Sequence, residues 1–188
     1  MRHRSQAGGL LIEVLVSLVV FSFGLLGYTA MQARGAVAEF EALQRSQALV
    51  LVEDMVSRLN ANRANADDYV SAAMIGSGDV ADCAGLAGAD LDLCEWGNLI
   101  RGTTEFRSGV AIGSMTSARG CIRQAPGSTA RYVISVVWQG QVPTAGPASN
   151  CGQGDAAFPE EARRRVVSTT VCVALLRDPA VPAATLRC

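Results

Sequence analysis

Between Glu13 and Arg34 the chain carries no charged side chain. About 20 apolar residues in a helix span the roughly 30 Å hydrocarbon core of a bilayer, so residues 14–33 are long enough to cross one. Two basic residues, Arg2 and Arg4, precede the pair Gly8-Gly9, and the apolar run that follows contains one acid, Glu13. A carboxylate within such a run is expensive, about 2.5–3.5 kcal/mol for Asp at the centre of a membrane helix on insertion scales. Something must compensate Glu13, and that requirement points to function.

Two plainer readings compete. A secretory signal peptide would use Arg2 and Arg4 as its charged region and Ala36-Val37-Ala38 as a cleavage-like triplet. Its apolar region would run only about 7–15 residues, shorter than this one, and would hold no acid. A plain membrane anchor explains the length but gives no reason for Gly8-Gly9 or Glu13. Arg34 and Arg45 beyond the run are countered by Glu39 and Glu41, so loop charge does not set an orientation.

The segment resembles the class III leader of type IV pilins and pseudopilins. That pattern is a short basic leader ending in Gly, an aromatic or apolar first mature residue, and Glu at the fifth mature position. With Glu13 as that acid, the leader ends at Gly8 and the mature chain begins at Gly9, where the family usually has Phe. The run Ile12-Glu13-Val14-Leu15-Val16, then Phe23-Gly24-Leu25-Leu26-Gly27 and Met31-Gln32, is similar to the PilV minor pilins in particular. So are Asp54-Met55-Val56-Ser57-Arg58-Leu59-Asn60-Ala61-Asn62-Arg63, the Trp138-Gln139-Gly140 ending, Cys151-Gly152 and Arg164-Arg165-Val166-Val167. The resemblance implies cleavage after Gly8 by a prepilin peptidase and N-methylation of Gly9. It also implies an assembly role for Glu13, facing the terminal amine of a neighbouring subunit. An acid alone in lipid is costly, and one facing a cation inside a protein regains Coulomb and hydrogen-bond energy. Before assembly Glu13 can instead sit at the headgroup level and snorkel.

The helix is expected to continue past the membrane. From Gln32 to Arg63 there is no proline and one glycine, Gly35. Phe40, Leu43, Gln47, Leu51, Met55 and Leu59, widened by Val52 and Val56, recur at helical spacing, while Glu41, Arg45, Asp54 and Arg58 fall elsewhere. This predicts an amphipathic half whose stripe is core. A helix of about fifty residues would run roughly 75 Å at 1.5 Å per residue.

Residues 64–130 are rich in Gly, Ala, Ser and Asp, with Gly120 among the punctuating glycines, and short helices are expected at 66–74 and 91–100. Tyr132–Trp138 and Arg165–Leu176 read as strands, and Cys121-Ile122-Arg123 as part of a third. The expected fold is α+β and pilin-like: a long N-terminal helix, membrane half plus amphipathic half, packed on a small antiparallel sheet. Its divisions are 1–8 leader, 9–33 membrane or filament-core half, 34–63 amphipathic half and 64–188 globular head.

All six cysteines, Cys83, Cys94, Cys121, Cys151, Cys172 and Cys188, lie in that head. An even count in an exported domain implies disulfides. The pairing is open; Cys83–Cys94 would staple a local loop, Cys172–Cys188 the tail, and Cys121–Cys151 would join two strand regions. There is no Cys-x-x-Cys pair and His3 is the one histidine, so a zinc site is not expected.

The chain contains no lysine, and from Gly9 onward no histidine. A His base, a Lys Schiff base and any triad needing either are excluded. Asp67-Asp68, Asp90/Asp92 and Glu160-Glu161 read as solvated loop charge, and Arg163-Arg164-Arg165 as a strand-edge guard. Without Arg2 and Arg4, 14 arginines face 17 acids, a net of −3 that disfavours broad nucleic-acid binding. The expectation is a non-enzymatic minor pilin without cofactor, held in the inner membrane with its head in the periplasm and then carried to the pilus tip. The resemblance implies as partners other minor pilins and the major pilin, the prepilin peptidase, the inner-membrane assembly platform and a large tip adhesin. Competing readings are a type II secretion minor pseudopilin and a pilus-borne head that binds DNA or another ligand.

Overall fold

The computed structural model describes residues 7–102, 106–107, 110–111 and 115–173. Met1–Gln6, with Arg2, His3 and Arg4 of the expected leader, lie outside the described residues, as does Cys188. Helix α1 runs from Ala7 to Ala61 without interruption. A 3-10 turn follows at Arg63–Tyr69, then α2 at Gly88–Ile100. Strands β1 (Phe106–Arg107) and β2 (Val110–Ala111) form a minimal hairpin. Strands β3 (Arg119–Gln124), β4 (Arg131–Gln139) and β5 (Arg164–Cys172) form an antiparallel sheet with β4 in the centre. This is the α+β, pilin-like arrangement of one long helix and a small antiparallel sheet. Internal contacts divide the chain into two compact units at Ala42/Leu43.

In the first unit every large apolar side chain from Leu10 to Met31 is exposed. Within this run Ser17, Ser22 and Thr29 each donate to a carbonyl three or four residues back, at 2.7, 2.7 and 3.0 Å. Their hydroxyls are thus satisfied by the helix itself, the arrangement that a hydrocarbon setting requires.

In the second unit α1 buries Gln44, Ala48, Val52, Met55 and Leu59, spaced by four, four, three and four. The buried face is therefore shifted from the expected stripe. Phe40 and Leu43 are 44% and 54% exposed, Gln47 and Leu51 are half-buried, and Gln44 takes the inner position. The helix gives way where asparagines compete with the backbone: Asn65 Nδ2 donates to Asn62 Oδ1 (2.8 Å), and Asn65 leaves helical geometry. The helix expected at 66–74 is replaced by the 3-10 turn, in which residues three apart eclipse. That register puts both Ala66 and Tyr69 into the core.

Helix α2 begins three residues before the expected start and buries Ala89, Trp96 and Ile100, with Leu93 half-buried between them. On β4, Tyr132, Ile134, Val136 and Trp138 face the core shared with α1, α2 and β3. The opposite face carries a second cluster, Cys121, Val137, Cys151 and Phe158, under the 140–163 connection. The sequence predicts β5 as far as Leu176; its described part ends at Cys172.

Candidate assembly helix and the head that carries it

Glu13 is exposed on α1, one turn above Gly9. Its carbonyl accepts the Ser17 hydroxyl, but its carboxylate has no partner among the described residues. Gly8 and Gly9 fall inside the described helix, with nothing within 4 Å of a Cβ built at Gly9, Gly24, Gly27 or Gly35. The geometry is thus a helix with apolar side chains on all sides and one unmatched carboxylate. A helix apolar all round is suited to lipid or to a bundle of like helices, and an unmatched carboxylate inside it to a cation brought by another chain. α1 is long and apolar enough to cross a membrane.

The head is organised around Arg58, which sequence reasoning placed on the solvent side. Its guanidinium meets Asp54 (2.9 Å), Asp92 (3.0 Å) and Glu95 (2.7 Å), tying α1 to α2. Burial alone would lower its pKa, but the hydrogen bonds of Glu95, Asp54 and Asp92 outweigh burial and raise it. The Tyr69 hydroxyl donates to the second oxygen of Asp92 and accepts from Asn62 Nδ2 (3.2 Å). Burial, then the Asp92 carboxylate, pushes Tyr69 up to about 12. Asp67 accepts from the Tyr132 hydroxyl (2.7 Å) and Gln124 (3.3 Å), and Tyr132 too is pushed up to about 12, by burial and then by Asp67. Asp67 and Asp92 are thus buttresses of the fold rather than solvated loop charge. Only the Asp54–Arg58 pair, four residues apart on one helix, is a local signal of the Arg58 knot; Asp92 and Glu95 lie 34 and 37 residues away in sequence.

Trp96 joins the layers. Its Nε1–H donates to the Leu51 carbonyl (2.8 Å), and its ring lies over Gly120, where a Cβ would sit 2.2 Å from a ring carbon. Gly120, which reads in the sequence as loop punctuation, is a position inside β3 that admits no side chain.

The arginine run also has a different role from the expected guard. Arg164 is fully buried; its guanidinium donates to both oxygens of Glu161 and to the Ser149 (2.8 Å) and Cys151 (2.7 Å) carbonyls. The Arg164 hydrogen bond holds the Glu161 carboxyl below its usual range. Arg163 pairs with Glu160 (2.8 Å), and Arg165 donates to the Ala162 and Val142 carbonyls. These cations brace the loop beside β5.

Disulfides join Cys83 to Cys94 and Cys121 to Cys151. Cys172 is disulfide-bonded as well; Cys188, paired with it in the sequence reading, lies outside the described residues. Gly152, beside the second bridge, has φ +74°, and a Cβ there would meet the Phe158 ring at 2.9 Å. Among the described residues no group of three or more His, Cys, Asp or Glu side chains is placed to hold a metal ion.

Residues 30–94 match the Tt1218-like family, described as type IV pilin Tt1218. The match supports a type IV pilin. It takes in the second half of α1, the Asp54–Arg63 stretch, the 3-10 turn and α2 as far as Cys94. A pilin is a component of a pilus and associates with other pilins there, and the exposed apolar α1 is consistent with membrane anchoring before assembly. No curated protein and no solved structure matches the chain.

Proposed function

We propose that this chain is a PilV-type minor pilin that joins a tip or initiation complex and promotes pilus assembly and display of a tip adhesin. The observation that carries the reading is α1 itself: all its large apolar side chains from Leu10 to Met31 are exposed, and Glu13 is the single acid among them. The prepilin peptidase cleaves after Gly8 and methylates Gly9; the chain waits as a single-pass inner-membrane protein with its head in the periplasm. Other minor pilins, the major pilin and the assembly platform then draw it into the filament, with Glu13 facing a neighbour's terminal amine. The head acts as a partner, not as a catalyst.

The test compares sheared filaments with membranes by immunoblot in cells carrying Glu13→Ala. The variant is expected to be cleaved and inserted, and to fall about tenfold in the filament fraction, the equivalent of one charge-assisted hydrogen bond of ~1.5 kcal/mol. Normal incorporation would remove the charge-pairing role. Deleting the chain should reduce surface pili without stopping major pilin synthesis; full piliation with lost type II secretion would transfer the chain to the pseudopilins.

A further inference from the structure

Among the described residues β5 pairs with β4 on one side only, and the phase of that ladder tells which residues bond where. Val173 N–H donates to the Ala130 carbonyl (2.8 Å), and Gly140 N–H to the Arg163 carbonyl (2.7 Å). Both pairs continue the register of Ile134↔Thr169. Opposed residues in an antiparallel ladder alternate between pairs that exchange hydrogen bonds and pairs that do not. The odd-numbered residues of β5 therefore bond to β4, and Val166, Ser168 and Thr170 turn their N–H and C=O groups outward.

The opposite edge of the sheet obeys the same geometry with a different outcome. Ala125 N–H donates to the Arg131 carbonyl (2.8 Å), so the even-numbered residues of β3 turn outward. The chain covers them itself: Ile75 and Gly120 exchange two hydrogen bonds of 2.8 Å, and Ser71 N–H donates to the Ile122 carbonyl (3.2 Å). Among the described residues nothing comparable reaches the backbone of Val166, Ser168 or Thr170. Native edges are commonly blunted by charge, proline or a bulge. The stretch Val166-Val167-Ser168-Thr169-Thr170-Val171 has neither charge nor proline and keeps an unbroken register with β4. The arginines before it are turned to Glu160, Glu161 and backbone carbonyls.

We propose that the outer edge of β5 is a docking edge for an extended strand of a neighbouring, different filament subunit. The row of donors and acceptors left without partners among the described residues is complementary to an extended backbone and to little else. Val167 and Val171 pack on the core from the half-buried side of the edge, whereas Ser168 and Thr170 are exposed. The incoming strand would therefore set apolar or β-branched side chains beside the valines and polar ones beside Ser168 and Thr170. A helical filament is built from heterologous contacts, in which a surface meets a different surface of its neighbour. That argues against the same edge of a second copy. The inference rests on the pilus-subunit reading.

The experiment is amide hydrogen exchange on the full chain, in detergent micelles and in sheared filaments, with immunoblotting of the filaments. On assembly the amides of Val166, Ser168 and Thr170 should slow by at least about tenfold, the exchange equivalent of one net hydrogen bond, while Ile75 and Gly120 stay protected in both states. Thr170→Pro, which removes an outward donor only, should lower filament incorporation with the melting temperature of the head unchanged. Fast exchange at all three amides in filaments that contain the chain would overturn the inference. So would protection already present in dilute micelles, which means closure by the chain's own residues. Protection that grows with concentration in micelles would mean pairing with a second copy, and overturns it too. Absence of the wild-type chain from sheared filaments would instead bring down the pilus reading, and this one with it.

Discussion

Single atoms at Gly120 decide whether the head closes. The Trp96 ring occupies the space that a methyl group would need, and its Nε1–H donates to the Leu51 carbonyl, so a shift of the ring strains or breaks that bond. Gly120→Ala is expected to destabilise the head by about 1–3 kcal/mol, the usual range for overpacking, and to lower its melting temperature by about 5–10 °C. Thermal melts followed by circular dichroism test this, and a melt within 1 °C of wild type would show that the ring can shift. Tyr69 and Tyr132 give a pH signature. Unfolded tyrosine ionises near 10, while both hydroxyls here are pushed up to about 12 by burial and then by a carboxylate. The fold favours the neutral phenols, so their stabilisation is whole below about pH 10 and is lost as pH rises through about 12. The melting temperature should fall over that window, and fall less in the Tyr69→Phe/Tyr132→Phe double variant. An equal fall in the double variant would place the alkaline loss elsewhere.

Among the elements, the two described bridges invite a comparison. Cys121–Cys151 closes a span of 30 residues and Cys83–Cys94 a span of 11. In chain-entropy terms replacing the first pair with serine should cost about 1 kcal/mol more than replacing the second, out of a typical ~2–4 kcal/mol each. Denaturant unfolding of the two double variants measures the difference, and the reverse order would point to strain or residual structure. The elements differ in how plainly the sequence announces them. A proline-free, periodic run announces α1, a β-branched run bounded by Gly127 and Gly140 announces β4, and a β-branched run announces most of β5, because these signals are local. The exact buried face of α1 was not local. Leu43 and Gln44 are neighbours, and which one turns inward depends on where the sheet and α2 lie. The 3-10 turn at Arg63–Tyr69 escaped only in part for a related reason: the Asn62/Asn65 pair is local, but Tyr69 at its end meets Asp92, 23 residues away. Gly120 escaped because a glycine in a strand that receives a distant tryptophan looks the same, in one dimension, as a glycine in a loop.

For the molecule as a whole, the boundary between its compact units falls at Ala42/Leu43, inside the expected 34–63 amphipathic half of the helix and 21 residues before residue 64. The buried face of α1 accounts for that boundary, since Gln44, Ala48, Val52, Met55 and Leu59 are buried in the head. A fragment beginning at Leu43 should therefore be soluble and melt cooperatively, while a fragment beginning at Ala64 should not fold, because it lacks Ala48, Val52, Met55 and Leu59. Gel filtration and calorimetry on the two fragments check this, and cooperative melting of the shorter one would reassign those side chains from core to surface. Glu13 was legible as an anomaly from the sequence alone, whereas Arg58, Trp96 and the outward backbone of β5 became visible only through the fold. Both tryptophans, Trp96 and Trp138, are buried in the head and none lies in the apolar half of α1. The molecule thus carries an intrinsic optical reporter confined to one unit: its ultraviolet emission should redden when the head opens and stay indifferent to whether α1 is in detergent, lipid or filament.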